Sequence, residues 1–198
     1  MTRVGITSLV ALVAVGACSA GEDAASDSAL VVGDTTSGTT ASTGDVDGAS
    51  TARAVLRDAQ GAEVGTVTMR PADGGVEFAI ELVGMPAGTH GIHVHETGEC
   101  TAPAFTSAGG HFNPDGRQHG TENPAGAHGG DLPNVTVQAD GTGSLTTTNP
   151  RVSLADGPTS LFKTGGTAIV VHAGPDDYRT DPSGDSGDRL ACGVVERG

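Results

Sequence analysis

Seven histidines constrain this chain more than any other feature, because all of them lie between positions 90 and 172. Six have ligand-like spacing: His93 and His95, then His111, His119 and His128 with Asp131 close behind, then His172 at the end of an apolar run. Histidine is the commonest metal ligand among side chains. The carboxylate in the second group adds an oxygen ligand. The fold is therefore expected to bring these distant segments together around metal.

The composition and the spacing of apolar runs predict an all-β domain. With no Trp, one Tyr and four Phe, the core is left to Val, Leu, Ile and Ala, while 32 Gly provide many turns. No convincing amphipathic helix is found. Antiparallel strands in a closed or sandwiched sheet are expected. The eight predicted strands are Ala52–Arg57, Glu63–Met69, Val76–Leu82, Gly91–Glu96, Asn134–Gln138, Gly143–Thr147, Thr167–His172 and Cys192–Glu196.

The histidines divide into two candidate metal sites. Alternate residues of a strand face one side, so His93 and His95 present two imidazoles to one ion. Two exposed strand histidines would show the same pattern, and His172 taken alone fits a local hydrogen bond equally well. The loop group of three histidines and Asp131 is stronger, because four N and O ligands complete a zinc tetrahedron. The remaining imidazoles form a nitrogen-rich site that suits copper.

The amino terminus is predicted to be a signal peptide over residues 1–17. Val4–Val15 is an apolar run shorter than the roughly 20 residues that a bilayer span needs, and it has the length of a signal-peptide core. The residues before Cys18 resemble a bacterial lipobox, in which this cysteine is acylated and becomes the new amino terminus. An ordinary secretory signal cleaved nearby is the alternative. Residues 18–51 are rich in Ser, Thr and Gly and are expected to form a disordered tether.

The cysteine count agrees with export. If Cys18 carries lipid, Cys100 and Cys192 remain to form one disulfide, which persists in an oxidising compartment. Two unconnected buried thiols are the alternative. The protein is expected outside the cytoplasm, as a membrane lipoprotein held through Cys18 or as a periplasmic or secreted protein. A formal charge of −14 argues against binding nucleic acid or anionic lipid through bulk charge.

Four segments of the domain predicted over residues 52–198 resemble the copper/zinc superoxide dismutase family in order and spacing. They are Gly91-Ile92-His93-Val94-His95-Glu96, Ser107-Ala108-Gly109-Gly110-His111-Phe112-Asn113-Pro114, Gly130-Asp131-Leu132 and Asp188-Arg189-Leu190-Ala191-Cys192-Gly193-Val194. The resemblance implies an eight-stranded antiparallel Greek-key barrel or sandwich with long metal-binding and electrostatic loops.

The resemblance also implies a role for each candidate residue. Copper would be bound by His93, His95, His111 and His172, and zinc by His111, His119, His128 and Asp131, with His111 bridging the two ions. Asp176 would link His93 to His119, His90 would be structural, and Cys100–Cys192 would be the family's disulfide. Arg189 would hold a small anion beside copper. A surface ion pair with Asp188 or Asp185 is the alternative for Arg189.

The implied activity is dismutation of superoxide to dioxygen and hydrogen peroxide, with copper cycling between two oxidation states beside a structural zinc. Such an enzyme would protect against extracytoplasmic superoxide, and the resemblance allows a homodimer. The alternatives are a non-catalytic copper- and zinc-holding lipoprotein and a non-catalytic interaction domain on the same fold. Either would be expected to lose a copper ligand or Arg189, and the sequence retains all of them.

Overall fold

The computed structural model describes residues 51–198, and they form an all-β fold. Its strands are β1 (Ala52–Asp58), β2 (Glu63–Ala72), β3 (Gly75–Leu82), β4 (Gly88–His90), β5 (Ile92–His95), β6 (Val135–Val137), β7 (Gly143–Asn149), β8 (Ala168–His172), β9 (Arg189–Val194) and β10 (Glu196–Arg197). The one helical piece within this range is a single 3₁₀ turn, Thr106–Ala108. No helix of residues 51–198 has the length and apolar character of a membrane span.

The structure confirms the all-β, antiparallel class predicted from the sequence. Each of the eight predicted runs contains a strand, although the last is divided into β9 and β10. The strand β4 was not predicted, because three residues are too few to show an alternating pattern. The signal peptide, the lipidated Cys18 and the tether were predicted for residues that lie outside the described part of the chain, apart from Thr51 at its edge.

The sheet has the order β4-β6-β7-β3-β2-β1-β9-β8-β5, and β10 pairs with β1. All of these strand pairs are antiparallel. The strands β3 and β7 are neighbours although three strands separate them in sequence, which is a Greek-key connection. Since the two ends of the sheet, β4 and β5, are joined through Gly91 alone, the sheet nearly closes into a barrel.

The barrel interior is built by strands that alternate between apolar and polar residues. On β3, Val76, Phe78, Ile80 and Leu82 are all buried, while the residues between them face outward. Burial of such side chains contributes about 1.5–3 kcal/mol each. This alternation fixes the register of the strand, because a shift by one residue would turn the apolar side chains towards solvent.

Two strands, β5 and β8, are buried on both faces, and this places the histidines. Ile92 and Val94 of β5 belong to the barrel core. Because successive side chains of a strand point to opposite faces, His93 and His95 lie on the outer side of the barrel wall, where they are also fully buried. The long loops must therefore cover this part of the wall.

The covering layer has its own small apolar cluster, formed by Phe105 and Ala108 of the loop with Ala168, Val170 and Cys192 of the barrel. The predicted disulfide is confirmed within it: Cys100 and Cys192 are bonded, with Cα atoms 5.6 Å apart. The bond ties the loop that follows β5 to strand β9.

Candidate metal centre

The loop that carries three histidines and Asp131 runs beside β5 like an additional strand. His111 lies opposite His95, and Asp131 lies opposite His93, in isolated β-bridges. The backbone N–H of Val94 donates to the carbonyl of Gly130 at 2.9 Å. A Cβ atom at Gly130 would collide with the carbonyl oxygen of Val94, so this close approach requires glycine.

The predicted ligands come together as two buried groups that share one histidine. In each group, one ligand atom per residue lies within 4.8 Å of the others. The first, here called the imidazole group, consists of His93, His95, His111 and His172. The second, the mixed group, consists of His111, His119, His128 and Asp131.

Three histidines of the imidazole group have one ring nitrogen within hydrogen-bond distance of an oxygen acceptor outside the group. His93 Nε2 lies 2.7 Å from Asp176 Oδ2, and His95 Nδ1 lies 3.0 Å from the carbonyl oxygen of Gly109. His172 Nδ1 lies 3.2 Å from the carbonyl oxygen of Gly187. These acceptors favour the tautomer that leaves the other nitrogen as a lone-pair donor.

The remaining nitrogens face one another. His95 Nε2 and His172 Nε2 are 3.4 Å apart. His93 Nδ1 and His111 Nε2 are buried and have no hydrogen-bond partner in the part of the chain that the structure describes. A buried polar atom without a partner costs about 1–3 kcal/mol. A metal ion bound at this point would satisfy these atoms, so the residues present fit a nitrogen-rich ion such as copper.

The mixed group is centred on one carboxylate. Asp131 Oδ1 lies 3.0 Å from the Nδ1 atoms of both His111 and His119, and 3.4 Å from His128 Nδ1. The other oxygen, Oδ2, accepts the backbone N–H groups of Gly120 at 2.9 Å and His128 at 3.0 Å. Three imidazole nitrogens and one carboxylate oxygen form a closed donor set that fits zinc.

His111 belongs to both groups through different atoms. Its Nδ1 faces Asp131 in the mixed group, while its Nε2 faces the imidazole group. Its ring centroid is 4.0 Å from that of His93 and 5.1 Å from that of His119. The single side chain is therefore placed to join two metal sites.

Burial keeps the imidazole group neutral. Desolvation lowers the pKa of His93 to about 3, that of His95 to about 2 and that of His172 to about 4. Desolvation also lowers the pKa of His111. Neutral imidazole binds metal through one nitrogen, so His93, His95 and His172 need no proton loss at neutral pH, whereas His111 must give up its remaining proton to bind through both nitrogens.

The mixed group is electrostatically different because it contains a carboxylate. Burial alone would raise the pKa of Asp131, but hydrogen bonds from His111 and His119 outweigh it and the pKa is lowered. Burial likewise opposes protonation of His119, yet Asp131 and Asp176 raise its pKa to about 9. Without metal, this group therefore retains a proton that zinc must displace.

Asp176 contacts one histidine of each group. Its oxygens lie 2.7 Å from His93 Nε2 and 3.0 Å from His119 Nε2. Asn134 fixes the segment, since its side chain accepts the N–H of Asp176 and donates to its carbonyl, each at 2.8 Å. The carboxylate thus orients one ring of each group.

Arg189 is placed beside the imidazole group by two backbone carbonyls. Its guanidinium donates to the carbonyl oxygens of Phe105 and Gly109, each at 2.7 Å. Among the described residues it forms no ion pair with Asp188 or Asp185, which was the alternative considered for it.

An open cavity of about 490 Å³ leads to the imidazole group. Its wall includes His95, His111 and His172, and its two charged side chains other than histidine are Glu96 and Arg189. Glu96 accepts the backbone N–H of Gly110 at 3.0 Å. A small molecule in this cavity therefore meets one cation and one carboxylate next to the imidazoles.

Two residues of the centre were not predicted. Asp181 accepts the backbone N–H of His119 at 2.6 Å, and Asn149 donates to the carbonyl of Gly129 at 2.8 Å. In the sequence, Asp181 is one of several acidic residues in its loop, and no pattern there predicts a specific role for it. Nothing in the sequence marked Asn149, which ends strand β7.

Comparison with protein families gives a match to copper/zinc superoxide dismutase over residues 63–195. A curated relative from Aquifex aeolicus, "Superoxide dismutase [Cu-Zn] 2", is 44% identical over 146 residues, which are 73% of this chain and 85% of the relative. "Superoxide dismutase [Cu-Zn]" of Caulobacter vibrioides is 43% identical over 148 residues, with the same coverage of 73% and 85%.

A solved structure with the same architecture is that of a superoxide dismutase-like protein from Bacillus subtilis. It is 38% identical, with a TM-score of 0.69, and the match covers 72% of this chain and 96% of that one. The family match over residues 63–195 includes both histidine groups, Arg189 and both bonded cysteines.

Proposed function

The chain belongs to the copper/zinc superoxide dismutase family, and we propose that it dismutates superoxide at the centre described above. The imidazole group would hold copper and the mixed group zinc, with His111 shared. The observation that carries this assignment is the pair of buried nitrogens, His93 Nδ1 and His111 Nε2, that have no hydrogen-bond partner within residues 51–198.

When bound, copper supplies one-electron redox chemistry, so that one superoxide leaves as dioxygen and the next, with two protons, as hydrogen peroxide. The part of the protein is to place the atoms and to handle protons. His111 holds a proton at Nε2 whenever that nitrogen is not a ligand, while its Nδ1 stays within the mixed group. The cavity wall includes this residue, so a proton at Nε2 lies next to the place where substrate arrives.

Arg189 binds and orients the substrate. Two of its N–H groups are used by the carbonyls of Phe105 and Gly109, which fix the guanidinium and leave further donors for an anion. The guanidinium is always protonated, and so it offers a fixed positive charge beside the histidines.

Attraction of the anionic substrate depends on this local charge. From Arg53 to Gly198 the chain has 9 Lys and Arg against 18 Asp and Glu, a formal charge of −9 before metals. The loop that follows β8 contains five aspartates, and its Arg179 is paired with Glu122 through hydrogen bonds of 2.8 Å and 2.5 Å. Glu122 thus largely compensates the positive charge of Arg179. The cation that lines the cavity is Arg189.

Replacing Asp131 with Ala should remove zinc binding while leaving copper bound less selectively. Asp131 contributes one of four donors of the mixed group and also orders Gly120 and His128 through their backbone N–H groups. Metal analysis of the full-length protein reconstituted with both ions measures this. Asp115→Ala is the matched control, since Asp115 is an exposed aspartate of the same loop. If Asp131→Ala retained one zinc per chain, the zinc assignment would be wrong.

We also infer that the enzyme is exported, held to the membrane by lipid on Cys18, and protects against extracytoplasmic superoxide. The lipobox-like segment supports the anchor, and the Cys100–Cys192 disulfide supports an oxidising compartment. The soluble alternative, a secreted or periplasmic enzyme, differs only in the fate of Cys18.

Cys18→Ser should abolish lipid attachment and move the protein from the membrane fraction to the soluble fraction, or leave an uncleaved precursor. Fractionation with intact-mass measurement of the amino terminus tests this. Ser26→Ala, in the same tether, should change neither result. Wild-type protein found in the soluble fraction alone, with an amino terminus other than Cys18, would contradict the anchor.

A further inference from the structure

His119 and His128 belong to the mixed group alone, and each faces a second carboxylate through the ring nitrogen that points away from Asp131. His119 and His128 direct Nδ1 towards Asp131, at 3.0 Å and 3.4 Å. Their opposite nitrogens face carboxylates of the loop that follows β8. His119 Nε2 lies 3.0 Å from Asp176 Oδ1, and His128 Nε2 lies 3.7 Å from Asp181 Oδ1.

The same oxygen of Asp181 contacts the second histidine through its backbone. It accepts the N–H of His119 at 2.6 Å, so a single carboxylate touches the main chain of one predicted zinc ligand and the ring of another. The segment is fixed on both sides, because Gly184 donates to the carbonyl of Thr180 at 2.6 Å and Asp177 donates to that of Gly184 at 2.9 Å.

We propose that Asp181 is a positioning residue for zinc, which sets the ring of His128 and the backbone of His119 in the arrangement that the mixed group needs. A carboxylate facing Nε2 favours the proton on that nitrogen and leaves Nδ1 free to bind metal. The inference rests on the zinc assignment proposed above.

The expected effect is moderate. Loss of an outer carboxylate partner typically lowers metal affinity by about 10–100-fold. The side chain of Asp181 is 48% exposed and its oxygen is 3.7 Å from the ring, so solvent screens the interaction. We therefore expect the lower end, about tenfold in zinc affinity, which corresponds to about 1.4 kcal/mol.

Asp181→Asn is the informative variant, because the amide oxygen still accepts the N–H of His119 while the charge facing His128 is lost. Asp185→Asn is the matched control. It removes the same charge from the same loop. Among the described residues, Asp185 forms no ion pair with a histidine, and asparagine tolerates its positive φ of 51°. Zinc affinity is measured on the full-length, copper-loaded protein by competition with a chelator, with zinc alone as the probe.

The inference predicts that Asp181→Asn binds zinc about tenfold more weakly than both wild type and Asp185→Asn, with unchanged copper content. The difference should shrink at high salt, since the carboxylate is half-exposed. The metal-free protein should unfold at the same denaturant concentration in all three forms. A purely structural residue would instead lower the stability of the metal-free protein and give a salt-independent change.

The contrary results can be told apart by the zinc affinities of the three proteins. If wild type takes up zinc and Asp181→Asn takes it up with equal affinity, the inference is wrong and the proposed function stands. Equal losses in Asp181→Asn and Asp185→Asn would also overturn it, since general loop charge would then be the cause. If wild type takes up no zinc, the proposed zinc site fails and the inference fails with it.

Discussion

Arg189→Glu should lower kcat/KM for superoxide by about a hundredfold while the copper and zinc contents stay at the wild-type level. Two unit charges about 4 Å apart at an effective dielectric constant near 20 interact by about 4 kcal/mol, on the order of a thousandfold in rate. The cavity is open to solvent, which reduces this figure. The substitution also removes the hydrogen bonds that Arg189 donates to Phe105 and Gly109.

Two variants distinguish the effect on the rate of charge in the cavity from the effect of charge elsewhere on the protein. Arg189→Lys keeps the positive charge and loses only the forked donors, so its loss should be smaller. Arg179→Glu makes the same charge reversal on the loop that follows β8, where Arg179 is exposed and paired with Glu122, and should change the rate little. Full activity of Arg189→Glu with full copper would show that this side chain does not hold the substrate.

Removing the disulfide should lower the free energy of unfolding by about 4–5 kcal/mol, near the upper end for a single bond, because it closes a loop of 92 residues. The double variant Cys100→Ala, Cys192→Ala tests this by denaturant unfolding of the metal-free protein. Cys18→Ser, which leaves the disulfide intact, is the control.

The double variant should also lose activity. The bond holds the loop that contains Phe105 and Gly109, and these residues supply the carbonyls that fix Arg189. Activity measured at full metal content therefore reports whether the loop stays in place. An unchanged unfolding free energy, or titration of two reactive thiols in the folded wild type, would contradict the structural role of the bond.

The strands could be predicted where burial leaves a pattern in the sequence. Val76–Leu82 alternates because one face packs into the barrel and the other meets solvent. The strand β4 has no such pattern in its three residues, and it forms because the backbone of Thr89 pairs with that of Thr136 in β6. Pairing of this kind depends on the partner strand and leaves no mark in the short segment itself.

The candidate ligands could be predicted because metal chemistry restricts them to a few residue types. The groups that contact these ligands and Arg189 could not be predicted, because their positions depend on the path of the loops. Asp181 becomes significant only when the loop after β8 brings it beside His128. The acceptors of Arg189 are backbone carbonyls, which any residue type offers, so no side-chain pattern could have identified Phe105 or Gly109.

The sharing of His111 and Asp176 between the two groups has a thermodynamic consequence. Since the same side chains contact both sites, binding at one changes the free energy of binding at the other. Linkage is reciprocal: whatever factor zinc applies to the copper affinity, copper applies to the zinc affinity. A substitution at His111 or Asp176 must then alter both binding constants together, so neither metal preference can be tuned alone through these residues. Independent adjustment is left to residues that touch one group alone, such as His172 for the first ion and Asp181 for the second.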